Sequence, residues 1–214
     1  MKKLLIIILC LTGSYLFAQG PSVRLHGYAI YAFADNKVES YYSTTDYFNG
    51  KIEGGFQYGG GLEVMPAPAI GVEFTYLRLD SKAPMYYWGT IGEVHTDFNL
   101  AQNWLFLSFN KYLPVNPKIE PFFGFQVGMD ILNVENPDNG NTGGATKFAW
   151  GLKAGAHIWA SEKVGIKLNI GLMSAVQAMG GGIYFGTGGA GAGVTGFSTY
   201  YQFNLGGGLV FKLK

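Results

Sequence analysis

Phe197 to Leu213 constrains the fold more than any other stretch of the chain. At every second position it reads Phe197, Thr199, Tyr201, Phe203, Leu205, Gly207, Leu209, Phe211 and Leu213. The intervening set is Ser198, Tyr200, Gln202, Asn204, Gly206, Gly208, Val210 and Lys212. One face is apolar with aromatics toward both ends, and the other is small or polar. Side chains alternate faces along a β-strand, so a period of two means strand and not helix. The stretch is about three times the five or six residues usual for a strand in a soluble domain. A tilted strand needs about 9–11 residues to cross a bilayer. A transmembrane β-strand fits, and it needs partners, because hydrocarbon offers no hydrogen bonds to an open edge.

The rest of the chain supplies seven more alternating segments. The first, Val23 to Ala34, sets Val23, Leu25, Ala29, Tyr31 and Phe33 against Arg24, His26 and Tyr28. The second, Gly54 to Met65, carries Phe56, Tyr58, Leu62 and Val64. The third, Ile70 to Leu79, sets Ile70, Val72, Phe74 and Tyr76 against Gly71, Glu73 and Thr75. The fourth, Val94 to Tyr112, is the least regular. Val94, Phe98, Leu100, Trp104 and Phe106 alternate, but Leu105, Leu107 and Phe109 break the pattern, which predicts a β-bulge near Asn103. Segments Ile119 to Leu132, Lys147 to Ile158 and Val164 to Leu172 complete the set.

Connections near residues 67, 116 and 161 are short, and those near 43, 86, 140 and 185 are long. The long ones are expected as loops over Asp35–Lys51, Asp80–Gly92, Asn133–Thr146 and a Gly-rich Ser174–Gly196. Strict alternation of short and long predicts an all-β, eight-stranded antiparallel up-and-down transmembrane β-barrel, with both chain ends on the side of the short turns. A lipocalin-type barrel shares the strand count, but it would have to hold these aromatics inside, where eight strands leave no room.

Residues 1–18 are expected to be a secretory signal, leaving 19–214 as the barrel domain. Lys2 and Lys3 form a basic start, Leu4 to Leu11 an apolar core, and Ala18 a small residue at the cleavage point. Cys10, the single cysteine, falls inside that leader, so disulfides have no part in the mature chain. Removing Lys2 and Lys3 from 15 basic residues leaves 13 against 14 acidic ones, which gives nucleic acid nothing to bind. The 33 glycines, with 14 tyrosines and 16 phenylalanines against only 14% charged residues, suit an outer wall facing lipid.

The leader ending Phe17-Ala18-Gln19, the Pro121-Phe122-Phe123-Gly124-Phe125 start of the fifth strand and the Gly208-Leu209-Val210-Phe211-Lys212-Leu213 ending carry a resemblance. The chain resembles the small outer-membrane β-barrel proteins of Bacteroidetes-type bacteria, the porin-family or PorT-like group with OmpX/OmpA-barrel architecture. The resemblance implies the outer membrane of a Gram-negative bacterium, contact with its lipids, and insertion by the β-barrel assembly machinery. Many such proteins end in an aromatic residue; this one ends in Lys214, with Phe211 and Leu213 shifted inward.

Candidate functional residues fall in two groups. Inside the barrel, Glu63 and Glu73 lie on neighbouring strands, as do Lys153 and Lys167, the latter two placed symmetrically about a turn at residue 160. Two amines at short range need carboxylates across the lumen, and Asp130, Glu120, Glu63 or Glu73 can answer them. The expectation is an ion-pair plug; a proton or ion path is the other reading. At the outer end, Tyr41, Tyr42, Tyr47 and Phe48 in one loop and Tyr86, Tyr87 and Trp88 in the next form either a headgroup girdle or a contact surface for an extracellular ligand.

His26, His95 and His157 give no metal-ligand spacing, and no cofactor is expected. His95-Thr96-Asp97 has the residue types of a hydrolase but not a recognisable arrangement. The glycines from Gly180 to Gly193 lack the Gly-Lys-Ser/Thr ending of a phosphate loop. The expected function is non-enzymatic, with a structural, adhesive or surface-binding role through the outer loops. A lipid-modifying barrel enzyme and a narrow pore or secretion accessory are the alternatives.

Overall fold

The computed structural model describes residues 22–34, 38–41, 47–89, 92–113, 115–176, 182–186, 189–193 and 200–213. The expected leader and Tyr42 lie outside them. The strands are β1 (Ser22–Ala32), β2 (Val38–Tyr41), β3 (Tyr47–Gly50), β4 (Gly55–Ala67), β5 (Ile70–Gly89) and β6 (Gly92–Tyr112). They continue with β7 (Ile119–Glu135), β8 (Thr142–Trp159), β9 (Val164–Val176), β10 (Gly182–Gly186), β11 (Gly189–Gly193) and β12 (Tyr200–Lys212). Eight of them, β1, β4, β5, β6, β7, β8, β9 and β12, pair antiparallel in sequence order, and β12 closes on β1. The expected barrel is the fold.

One row of ladder partners gives the stagger. Val23 pairs with Val64, Val64 with Val72, Val72 with Phe109, and Phe109 with Phe125. Phe125 then pairs with Leu152, Leu152 with Leu172, and Leu172 with Phe203. Phe203 accepts the backbone N–H of Phe33, which lies ten residues beyond Val23 on the same segment. A stagger of this kind goes with strands tilted by roughly 35–45°. Every residue on that spiral is apolar and faces outward.

The outer wall follows the same rule elsewhere. Phe56, Phe74, Phe123, Leu152, Ile166, Leu168, Tyr201 and Leu205 are all about half exposed. A lipocalin-type barrel would turn these residues inward; an apolar belt this complete requires lipid around it. On β5 the belt ends at Tyr76, after which the outward positions are Arg78, Asp80 and Lys82. On β7 it ends at Ile131, followed by Asn133 and Glu135. The intervening inward positions divide by height. Toward the short turns most are charged or polar, beside Met65, Phe122 and Trp159; toward the long connections Leu77, Leu79, Phe98, Leu100, Trp104, Phe106, Leu132 and Val134 are buried together with a few polar groups such as Gln102 and Asp130.

Several expectations need correction. No bulge occurs at Asn103: β6 keeps continuous register with β5 from Lys111 to Gly92 and with β7 from Tyr112 to Asn99. Phe98, Leu100, Trp104 and Phe106 simply face inward, while Leu107 and Phe109 face lipid. The break in the pattern marks an apolar interior rather than a change of face. The register shift in this sheet falls instead between Val64 and Ala67 of β4.

Asp80–Gly92 is not a loop. β5 and β6 continue as paired strands to Gly89 and Gly92. Likewise β7 and β8 stay paired to Glu135 and Thr142, so the connection between them is much shorter than Asn133–Thr146. The alternation of exposed polar and buried apolar residues explains both extensions, since it keeps the strand period above the belt. Within the expected first loop, β2 and β3 form a hairpin whose β3 pairs with β5. Within the Gly-rich connection, β10 and β11 form a hairpin lying near β5, β7 and β8.

The belt generates a test. Phe125→Arg, in the apolar band of β7, should destabilise the barrel by about 2–4 kcal/mol in lipid vesicles. Asp97→Arg, outward but above the band, should change stability by less than about 0.5 kcal/mol. Denaturant unfolding in vesicles followed by tryptophan fluorescence measures both.

Candidate functional site

The charged interior begins with a conflict set by the register. Glu63 of β4 and Glu73 of β5 are direct cross-strand partners, both facing inward and both fully buried. Like charges in that position repel, and burial raises the cost. The neighbouring positions make space for them: a Cβ on Gly71 would strike the Glu63 carboxylate, and one on Gly61 that of Glu73.

Each carboxylate is then answered separately. Glu73 accepts from Lys153 Nζ at 2.7 Å, lies 3.7 Å from Lys167 Nζ, and accepts from the Tyr28 hydroxyl. Glu63 accepts from the Tyr112 hydroxyl at 2.7 Å and contacts His26 Nε2 at 3.1 Å. The Asn110 amide nitrogen bridges the two, 2.7 Å from Glu63 and 3.1 Å from Glu73. Lys167 in turn bonds the Tyr28 hydroxyl and lies 3.5 Å from His26 Nδ1.

A third carboxylate closes the lower end. Glu120 takes a two-pronged bond from Arg24 at 2.8 and 3.1 Å and meets His157 Nδ1 at 3.3 Å. The Arg24 guanidinium lies over the rings of Tyr112 and Trp159, and Lys212 caps Trp159 from 3.9 Å. Glu63, Glu73 and Glu120 thus balance Arg24, Lys153 and Lys167 without charge on either imidazole. Higher in the lumen lies a cavity of about 10 Å³, lined by residues including Tyr28, Thr75, Lys153 and Asn204, the size of a single water site.

The structure therefore brings Glu73, Lys153 and Lys167 together, and places Glu63 beside them with different partners. It separates Asp130. That carboxylate sits opposite Lys147 on β8, is attracted by it, and hydrogen-bonds Gln102. The expected role of Asp130 as a counter-charge to Lys153 or Lys167 is not what the structure contains. The turn after β8 is also centred later than residue 160, so Lys167 faces His157 and Lys153 faces Gly171. The two lysines converge through Glu73 and not by direct pairing. Arg24, His26, Tyr28, Asn110, Tyr112 and His157 join this network without a sequence signal that marks them for it. Their inward parity was visible, but their heights depend on the stagger.

His26, Glu63 and Glu73 bring one ligand atom each within 4.8 Å of one another, a donor set that suits a divalent metal. The arrangement does not favour one. Two ammonium groups already stand against Glu73, and a divalent cation there would meet both as like charges.

The outer aromatics divide. Tyr86 is exposed and packs on His95 with ring centroids 4.5 Å apart. Tyr87, expected on the same contact surface, is buried at 6% exposure, with its ring on Phe98 and its hydroxyl 3.3 Å from Thr96. Alternation along β5 turns it inward, so it belongs to the core. Tyr41, Tyr47 and Phe48 lie on β2 and β3 and Trp88 on β5, but their side chains, like all of Tyr42, are outside the described residues. His95 pairs with Asp97 at 3.5 Å on the outward face, whereas Thr96 points inward to Asp138. Those three residues do not form a catalytic set.

No protein-family model matches the sequence, and no curated protein is detectably similar to it. Solved structures do share the fold. Neisserial surface protein A (NspA) matches with a TM-score of 0.55 at 14% identity, covering 91% of this chain and 100% of its own. The outer membrane protein OprG from Pseudomonas aeruginosa matches with a TM-score of 0.54 at 11% identity, covering 90% of this chain and 96% of its own.

Lys153→Met should lower stability by about 3–5 kcal/mol, since it leaves Glu73 with the more distant Lys167. Adding Glu73→Gln to Lys153→Met should recover part of that loss. Asp130→Asn should instead combine additively with Lys153→Met, because Lys147 and Gln102 answer Asp130 while Glu73 binds Lys153. Unfolding midpoints of the single and double variants in detergent decide between these outcomes.

Proposed function

We propose that this chain is an outer-membrane protein of a Gram-negative bacterium, of the Bacteroidetes type its sequence resembles. It acts without catalysis, in a structural, adhesive or surface-binding role, through the end that carries the long connections. The observation that supports this most is the contrast between the barrel's two ends. The lower lumen is filled by a charge-balanced network in which Glu73, Lys167 and His157 are fully buried. An eight-stranded interior so filled offers no solute path.

The upper end is built differently. β5, β6, β7 and β8 continue past the apolar belt as a four-stranded wall with β3 paired on its edge. Its outward face presents Lys82, Tyr86, His95, Asp97, Asn99 and Glu135 to water. Paired strands hold such groups more rigidly than a loop does, which lowers the cost of ordering them against a partner. Outer-membrane lipids surround the belt, the assembly machinery inserts the barrel, and an extracellular ligand meets the wall.

The protein should fractionate with the outer membrane and migrate on gels in a heat-modifiable manner. In planar bilayers the wild type should give no steady conductance. Whole cells carrying a variant with β5 and β6 shortened to the top of the belt should lose surface attachment while keeping the folded gel species. Steady single-channel currents, or a soluble periplasmic protein, would refute this reading.

A further inference from the structure

Outside the barrel, where the belt gives way to the wall, β5 to β8 frame a groove of about 830 Å³. Arg78, Asp80 and Lys82 line it from β5, Asn99 from β6, and Asn133 and Glu135 from β7. Its depth relative to the membrane is set by the strands themselves. The outward residues immediately below it are Tyr76 and Phe74 on β5 and Ile131 and Met129 on β7, all in the lipid-facing belt. The groove therefore opens at the level of the lipid headgroups.

Its chemistry selects among headgroups. Arg78 and Lys82 are matched by Asp80 and Glu135, so the lining carries no net charge. A bare anion would gain from two groups and be repelled by the other two. A hydroxyl-rich molecule uses all of them, because each sugar hydroxyl both donates and accepts, and the two asparagines add amides that do the same. The size lies within the roughly 300–1,000 Å³ typical of small-ligand sites.

The central residue is also held in place before any ligand arrives. Arg78 Nε donates to Asp80 Oδ2 at 2.9 Å, and a terminal nitrogen donates to Oδ1 at 2.7 Å. Its other terminal nitrogen reaches Asn103 Oδ1 at 3.4 Å, which also accepts from the Tyr76 hydroxyl at 2.8 Å. Asn103 is fixed from the far side by its own bond to the Ile131 carbonyl at 3.3 Å. A planar guanidinium and carboxylate locked side by side match the spacing of vicinal hydroxyls, and the ordering cost is already met.

We propose that this groove binds the saccharide headgroup of a glycolipid in the surrounding leaflet. The inference rests on the membrane orientation given above. A free saccharide would satisfy the same side chains, but a lipid anchor holds the sugar at groove height and raises its effective concentration.

The test uses the full chain in phosphatidylcholine nanodiscs doped with a glycolipid bearing a neutral disaccharide, with phosphatidylglycerol-doped discs for comparison. Native mass spectrometry reads the retained lipid. Wild type should retain the glycolipid about tenfold over phosphatidylglycerol, and Arg78→Ala/Asn133→Ala should lose about tenfold of it, as expected when two hydrogen-bonding groups are removed. Lys111→Ala, exposed at the opposite rim, should bind as wild type. Free disaccharide that displaces the glycolipid equally well at matched concentration would move the source to a soluble sugar while keeping the groove as a saccharide site. Equal retention by the double variant, or of phosphatidylglycerol, would overturn the proposal. Insertion is scored separately by gel shift: a chain that inserts but retains no glycolipid refutes the groove alone, and one that fails to insert refutes the membrane reading with it.

Discussion

Hydrocarbon cannot hydrogen-bond a peptide group, and this protein's architecture follows from that one restriction. Each backbone N–H and C=O at membrane depth has to find its partner on a neighbouring strand, so the sheet must close. Closure of β12 on β1 fixes the ten-residue stagger between Val23 and Phe33. The stagger then decides which inward side chains share a height, and the period of two decides which residues face inward at all. The lumen and the outer wall are consequences of the closed ladder.

The lumen shows how such a ladder tolerates charge. Glu63 and Glu73 are forced side by side by register, and an isolated buried pair of that kind would be costly. Asn110 bridges them, Lys153 and Lys167 neutralise one, and His26 with Tyr112 hydrogen-bond the other. Glycines at positions 61 and 71 leave room for the carboxylates. Arg24 and Glu120 seal the end below. The network ties β1, β4, β5, β6, β7, β8 and β9 together across the interior, so it stiffens the ring from within while the lipid-facing belt contributes nothing directional. Above it the lumen becomes largely apolar, with Trp104, Phe106, Leu100 and Leu132 buried beside Gln102, Asp130 and Lys147.

Above the belt the same strands serve a different solvent. Water can satisfy peptide groups, so the ring no longer has to be complete, and among the described residues β5 to β8 continue above the belt. Their inward face stays buried and mostly apolar, and their outward face changes from phenylalanine and leucine to arginine, aspartate and asparagine. That change places a charge-balanced groove at the headgroup layer and an exposed Tyr86–His95 pair nearer the tip.

The sequence by itself determined the period and, from the alternation of segments and connections, the number of membrane-crossing strands, and on the regular strands it also marked the lipid-facing residues, because alternation is a local property of a strand. Val23, Phe74, Phe125 and Leu168 carry that information in their own neighbourhoods. It also exposed the charges that had to be paired, but not their partners. Lys153 reaches Glu73 from three strands away and 80 positions along the chain, while Asp130 meets Lys147 on the strand beside it. Likewise Tyr87 and Trp104 resemble outward aromatics until the uninterrupted register of β5 with β6 turns both inward. Register relates two strands, and a slip of one residue would exchange every inward side chain for an outward one. Only the closed structure decides it, because closure makes each strand's register answer to all the others.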